Sequence, residues 1–124
     1  LLFFARLSGV PAPARRVREV LTLLDGLPYA GRRVGGFSKG MRQRIGLAQA
    51  ILHKPKVLFL DEPTSGLDPM GIRMLRGLIA RLNREFGMTI FMNTHLIGEI
   101  AKTCTSIAVL SHGRLVFNDR IEAV

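Results

Sequence analysis

One stretch, KVLFLDEPTSGLD from Lys56 to Asp68, restricts what this chain can fold into more than any other. Val57 to Leu60 form an unbroken apolar run that ends on two adjacent carboxylates, Asp61 and Glu62. Pro63 and the small polar Thr64-Ser65-Gly66 then break the chain direction at once. A short continuous apolar run bounded by turn residues predicts a parallel strand buried on both faces. Two acids at the end of such a strand need partners, because an unpaired ionised group taken out of water costs several kcal/mol.

Two readings of the acids stay open at this level. They are a salt-bridged pair that only secures a strand end, or they divide two chemical tasks. In the second reading Asp61 holds Mg²⁺ through water, since hard oxygen ligands suit a hard cation. Glu62 points to a different side and polarises an attacking water.

Around this stretch the first half of the chain reads as helical and the second half as strands alternating with helices. Leu1 to Leu7 reads as the end of an amphipathic helix, broken by Gly9-Val10-Pro11. From Pro13 a second helix buries Val17, Val20, Leu21 and Leu24, spaced i, i+3, i+4, i+7. Tyr29 to Gly36 is a loop rich in glycine and arginine. Ser38 predicts an N-cap for a helix from Lys39 to Leu52, with Met41, Ile45, Ala48 and Leu52 along one side. Pro69 to Phe86 carries a stripe of Met74, Leu75, Leu78, Ile79 and Leu82 and ends at Gly87. Met88 to Met92 is a second buried strand, and Leu96 to about Lys102 a short helix. Ser106 to Leu110 and Arg114 to Phe117 are strands joined by the hairpin signal Ser111-His112-Gly113. Such alternation predicts an α/β fold: a helical subdomain followed by a mainly parallel sheet with helices packed on it. Reactive groups then gather at the carboxyl ends of the strands, where Asp61-Glu62 and Asn93-Thr94-His95 both fall.

Charge is one-sided. The chain of 124 residues has net charge +9, and residues 1–60 hold all of it, with 11 Lys and Arg against Glu19 and Asp25. That balance suits an anionic neighbour such as a nucleotide phosphate, a nucleic acid or a membrane surface, and equally a solvated basic face. The single cysteine, Cys104, rules out an internal disulfide and fits a reducing compartment. The opening LLFFARLSGVPAPA is a poor signal peptide: no basic region precedes the apolar run, Arg6 interrupts it, and Pro13 occupies the would-be cleavage site. A start inside an apolar run leads us to expect an upstream part to the protein.

Two further sites gain meaning only together with the acids. In Phe37-Ser38-Lys39-Gly40-Met41 a loop enters a helix whose N-terminal N–H groups and dipole suit phosphate oxygens, with Gly40 allowing close approach and Lys39 adding charge. An ordinary capped helix accounts for the same residues. His95 follows a buried strand, where a lone histidine is as well read as structural. His53 and His112 read as surface or turn residues, and Cys104 as a small buried apolar side chain.

Taken together, these pieces resemble the nucleotide-binding domain of ATP-binding cassette (ABC) transporters along nearly the whole chain. Phe37-Ser38-Lys39-Gly40-Met41 is similar to the signature motif, usually Leu-Ser-Gly-Gly-Gln, and Arg42-Gln43-Arg44 continues it. Val57-Leu58-Phe59-Leu60-Asp61 resembles Walker B, with Glu62 in the place of the catalytic glutamate. Ser65-Gly66-Leu67-Asp68 resembles the D-loop, and His95 the switch histidine of the H-loop. The Ser-Lys-Gly-Met form looks like that of bacterial and archaeal exporter-type ATPases, while His95 is followed by Leu96 where an acid is common.

The resemblance implies a partial P-loop NTPase of ABC ATPase type that uses ATP and Mg²⁺. Residues 1–54 would form the helical subdomain with the signature, and residues 55–124 a partial ATPase core with Walker B, D-loop and H-loop. Ser38, Lys39, Gly40 and Met41 would meet the ATP of a partner subunit. Asp61 would organise Mg²⁺, Glu62 would activate water, and His95 would sense the γ-phosphate. Ser65, Gly66, Leu67 and Asp68 would line the seam of a head-to-tail dimer. The implied partners are a second nucleotide-binding domain and a polytopic membrane permease, with the chain on the cytoplasmic face of the cell membrane and no direct contact with nucleic acid. The competing expectation is a soluble ABC-type ATPase acting on nucleic acid or ribosomes, which the basic first half would suit. No Gly-x-x-x-x-Gly-Lys-Ser/Thr loop occurs in the chain, nor the family's Q-loop or adenine-stacking aromatic. The expectation is therefore a C-terminal part of an ATPase domain, truncated at its front and inactive alone.

Overall fold

The structure, a computed structural model, describes residues 1–121 apart from the side chain of Glu99, so the last three residues of the expected 55–124 segment lie outside it. Three helices come first: α1 (Leu2–Leu7), α2 (Pro13–Leu23) and α3 (Lys39–Ile51). Two single 3-10 turns, Leu27–Tyr29 and Val34–Gly36, order much of the loop between α2 and α3. Then follow β1 (Val57–Asp61), α4 (Pro69–Phe86), β2 (Thr89–Asn93), α5 (Ile97–Thr103), β3 (Ser106–Ser111) and β4 (Arg114–Arg120).

The longer helices begin and end where local chemistry dictates. Pro13 and Pro69 stand at the starts of α2 and α4, where a missing N–H is no loss and φ is already helical. Ser38 and Asp68 cap α3 and α4 by accepting the N–H of Met41 (3.2 Å) and of Gly71 (2.8 Å). Gly87, at φ 62°, closes α4 in the left-handed conformation that glycine takes without strain. The end of α3 is held from a distance. The Arg16 guanidinium donates to the carbonyls of Ile51 (2.8 Å) and Leu52 (2.9 Å), two groups a helix C-terminus otherwise leaves unpaired.

One core runs through both halves of the chain. It joins Ala5, Val20 and Leu24 to Leu47, Ala48, Ile51 and Leu52 of α3 and its end, and to Leu58, Leu75, Ile79, Leu82 and Met88. The buried stripe of α3 differs from the predicted one. Leu47, Ala48, Ile51 and Leu52 are buried, whereas Met41 and Ile45 are only half-buried. The first turns of α3 border a cleft toward α4, and only its second half enters the core. Met74 of α4 is exposed on the same cleft rather than buried, and Arg44 Nη2 donates to its Sδ at 3.2 Å.

Strands β1 and β2 pair in parallel from Val57↔Thr89 to Asp61↔Asn93. The expectation that β1 and β2 are buried on both faces does not hold among the described residues. Leu58 is buried and Leu60, Ile90 and Met92 pack against the core, but Val57, Phe59 and Phe91 are exposed. The apolar run is explained by two unlike environments: alternate residues meet the core, and the others form a bare apolar face. Strands β3 and β4 form a separate antiparallel hairpin, turning at His112 and Gly113, both at positive φ (48° and 76°), as the hairpin signal predicts. Among the described residues no helix is long and apolar enough to cross a membrane.

Candidate functional site at the strand ends

The in-register pairing of β1 with β2 is what assembles the site. Because Asp61 is opposite Asn93, the segments that leave the two strands start side by side. Asn93 Nδ2 donates to Asp61 Oδ1 at 2.7 Å, fixing one carboxylate oxygen of an otherwise exposed side chain. The ladder continues one step further, with the Glu62 N–H donating to the Asn93 carbonyl at 2.9 Å. There the strand ends. Glu62 takes φ 44°, a left-handed conformation that costs a non-glycine residue about 1 kcal/mol. This twist takes Glu62 out of the strand's alternation, and its Oε1 lies 2.9 Å from His95 Nδ1. The other oxygen, Oε2, is buried and has no partner among the described residues. A buried carboxylate oxygen left without a partner costs free energy, which marks this oxygen as one that the arrangement leaves unsatisfied.

Behind Glu62 the chain makes two tight turns. Ser65 N–H donates to the Glu62 carbonyl (3.0 Å) and Leu67 N–H to the Thr64 carbonyl (3.1 Å). Pro63 and Thr64 are buried, while Ser65, Gly66 and Asp68 are exposed. Asp68 also has a structural duty, because its Oδ1 caps α4. The dipeptide Asp68-Pro69 is a helix-start signature in its own right.

The segment Ser38 to Met41 forms the first turn of α3. Ser38 Oγ accepts the Met41 N–H, which leaves its own hydrogen free to donate to an anion. Lys39 is exposed, and among the described residues no hydrogen bond or ion pair engages its ammonium. Leu67 approaches Gly40, with its Cδ2 3.9 Å from where a Cβ on Gly40 would stand. The signature-like turn thus sits beside Ser65–Asp68. Met41, Arg44, Leu67, Met70 and Met74 border the adjoining cleft of about 590 Å³.

Sequence reasoning singled out Asp61, Glu62 and His95, and the structure brings all three to one rim. It missed the role of Asn93, whose signal is the strand register rather than any local motif. His112 Nδ1 lies 3.1 Å from its neighbour Ser111 Oγ at the hairpin turn, in keeping with a turn residue. Cys104 is half-buried, and that burial pushes its thiol up from the ordinary value. Among the described residues no group of three or more His, Cys, Asp or Glu side chains could enclose a metal. The Asp61 carboxylate is a hard oxygen donor of the type that suits Mg²⁺.

Comparison with known proteins gives consistent likenesses. The ABC transporter family profile matches residues 5–65. The uncharacterised ABC transporter ATP-binding protein YhcH of Bacillus subtilis is 46% identical over 114 residues, which is 91% of this chain and 37% of YhcH. Among solved structures, cbiO1 from Clostridium perfringens, part of the ABC transporter complex cbiONQ, superposes with a TM-score of 0.80 at 31% identity. That match covers 87% of this chain and 43% of cbiO1. The ATP-binding cassette MJ0796, in a dimeric post-hydrolysis state bound to ADP and Pi, gives 0.78 at 25% identity, over 89% of this chain and 47% of MJ0796. The chain therefore spans about a third to a half of the length of these proteins.

Proposed function

We propose, for a chain that belongs to the ABC transporter family of ATP-binding proteins, that it supplies the hydrolytic carboxylates and the signature of an ATPase subunit that energises transport through a membrane permease. Its fold is the α/β fold of ABC-type P-loop NTPases. The observation that carries the proposal is the juxtaposition of Glu62 and His95 at 2.9 Å, at the ends of two paired parallel strands.

In this reading Glu62 is the general base. Its carboxylate accepts a proton from the attacking water while His95 holds it in place through Oε1. Asp61, steadied by Asn93, holds Mg²⁺, which neutralises charge on the transferring phosphoryl group. His95 contacts the γ-phosphate. Ser38, Lys39, Gly40 and Met41 face the nucleotide of a partner subunit in a head-to-tail dimer, supported by the free Ser38 hydroxyl hydrogen, the positive end of α3 and a Lys39 ammonium that has no ion pair among the described residues. Ser65 to Asp68 line the seam. Residues 1–54 act as the signature-bearing helical subdomain and residues 55–124 as part of the ATPase core. The subunit works at the cytoplasmic face of the membrane. Export is the direction we propose, on the Ser-Lys-Gly-Met form of the signature.

The 124-residue chain has no glycine-rich loop ending in Lys-Ser/Thr to cradle phosphates. By itself it neither binds ATP tightly nor hydrolyses it, and magnesium-dependent turnover by the purified chain would refute that. In the full-length protein Glu62→Gln abolishes turnover while ATP-driven dimerisation persists. Normal turnover in that variant would sink the assignment.

A further inference from the structure

We infer that Lys39 is a positioning residue that braces the Ser65–Asp68 turn against the start of α3, so that the phosphate-facing end of the signature and the strand end bearing Glu62 move as one body. The inference rests on the ATPase reading above and adds to it a mechanical link within a single chain.

The link is a contact between two unlike segments. Lys39 is the first residue of α3, and its side chain crosses to Gly66. A Cβ built on Gly66 would stand 2.8 Å from Lys39 Cε and 3.1 Å from Lys39 Cδ, and the ammonium would lie closer still. The lysine stem thus fills the space that any other residue at 66 would claim. Gly66 is also held at φ 67°, a backbone conformation that selects glycine, while the flexible end of Lys39 lies against it. Leu67 comes near Gly40 beside it, its Cδ2 lying 3.9 Å from where a Cβ on Gly40 would stand.

Lys39 is a poor choice on local grounds. A cation in the first turn opposes the helix dipole, and no acidic side chain among the described residues offsets it. A residue that breaks a local rule is expected where function compensates. Here the compensation is reach. From Gly66 the two turn hydrogen bonds, Leu67 N–H to Thr64 and Ser65 N–H to Glu62, carry any displacement back to the Glu62 backbone. An anion drawn onto Ser38 and the Lys39 ammonium therefore shifts a stem that lies against the turn three residues after Thr64's neighbour Pro63. The signature serves a nucleotide on the partner, whereas Glu62 serves the chain's own. Lys39 connects the two.

The test is made in the full-length protein with Lys39→Ala, Lys39→Met, Gly66→Ala and the double variant K39A/G66A. Lys39→Ala is expected to lower kcat about tenfold, a size ordinary for coupling between sites, in addition to any rise in KM from the lost phosphate contact. Lys39→Met keeps an apolar stem and should lose less. Gly66→Ala sets a methyl group against Lys39, so K39A/G66A should turn over faster than G66A alone. Without nucleotide, the Ser65 and Leu67 amides should exchange hydrogen faster in Lys39→Ala than in the wild type. A raised KM with unchanged kcat would reduce Lys39 to a phosphate ligand and overturn the brace. So would additive losses in the double variant, or unchanged amide exchange. If the wild type hydrolyses no ATP, the ATPase reading fails, and amide exchange still decides whether the brace exists. If Gly66→Ala does not fold, the two Lys39 variants decide it alone.

Discussion

His95 Nδ1 lies 2.9 Å from Glu62 Oε1, across 33 positions of sequence. Both groups keep access to solvent, His95 being 73% and Glu62 33% exposed at the side chain. A polar contact that open to water contributes little to stability, so its value is geometric. With the Glu62 carboxylate accepting, Nδ1–H is the donor. His95→Ala should therefore leave the melting temperature close to that of the wild type. It should cut ATP turnover in the full-length protein by about 100-fold or more, the range for a positioned acid–base partner. Steady-state kinetics beside a thermal melt would check both halves. A variant that melts early and turns over normally would make the contact structural.

Asp68 is expected at a dimer seam, yet its Oδ1 already caps α4 by accepting the Gly71 N–H at 2.8 Å. Removing a cap of this kind costs about 1 kcal/mol. Asp68→Ala should lower the urea midpoint accordingly, while Asp68→Asn and Asp68→Ser, which can cap, should stay near the wild type. Activity lost in Asp68→Asn at full stability would then report the seam role separately. Equal stability of all three variants would remove the cap from the account.

Glu62, His95 and Asp68 also show what the sequence could tell. Asp61, Glu62 and His95 were legible because a strand end, a proline and a second strand end are local signals with fixed positions. The bounds of α4 were legible because Asp68-Pro69 starts a helix and Gly87 ends it. The pairing of Asp61 with Asn93 was not, because register is a property of two strands. Nor was the exposure of Phe59. An unbroken apolar run has no period, so it cannot say whether one face or two will be covered. The buried stripe of α3 slid toward Leu47 and Ile51 because its periodicity fits two adjacent faces, and the neighbouring cleft decided between them.

Arg16 carried no motif, yet it ties α2 to the end of α3. Its guanidinium donates to the carbonyls of Ile51 and Leu52, and its side chain is only 13% exposed. Charged hydrogen bonds of this kind contribute about 2 kcal/mol together when partly buried. Arg16→Met keeps the stem and removes the donors. It should lower stability by about that amount, with the loss appearing in chemical denaturation of the chain. Arg15→Met is the control, since Arg15 is exposed and its partner among the described residues is the neighbouring Glu19 on the same helix. Equal effects from both substitutions would contradict a specific role for Arg16.

Phe59 and Phe91 stand directly opposite each other on β1 and β2, with ring centroids 5.7 Å apart and the planes tilted by 43°. They are 73% and 60% exposed, and Val57 beside them is exposed too. The other face of the same two strands is committed to the core through Leu58, Leu60, Ile90 and Met92. A sheet this small cannot turn these rings inward without expelling that set, because a strand shows alternate residues to opposite faces. A contiguous apolar patch on a two-stranded sheet with open edges is a site for association. The isolated 124-residue chain should bind a hydrophobic dye and self-associate as its concentration rises. Replacing both rings in F59S/F91S should reduce both effects while preserving helical circular dichroism, because neither ring belongs to the core. Sedimentation across a concentration series would read the outcome. A monomeric, dye-silent wild-type chain would mean that this face is covered in solution by some other part of the chain.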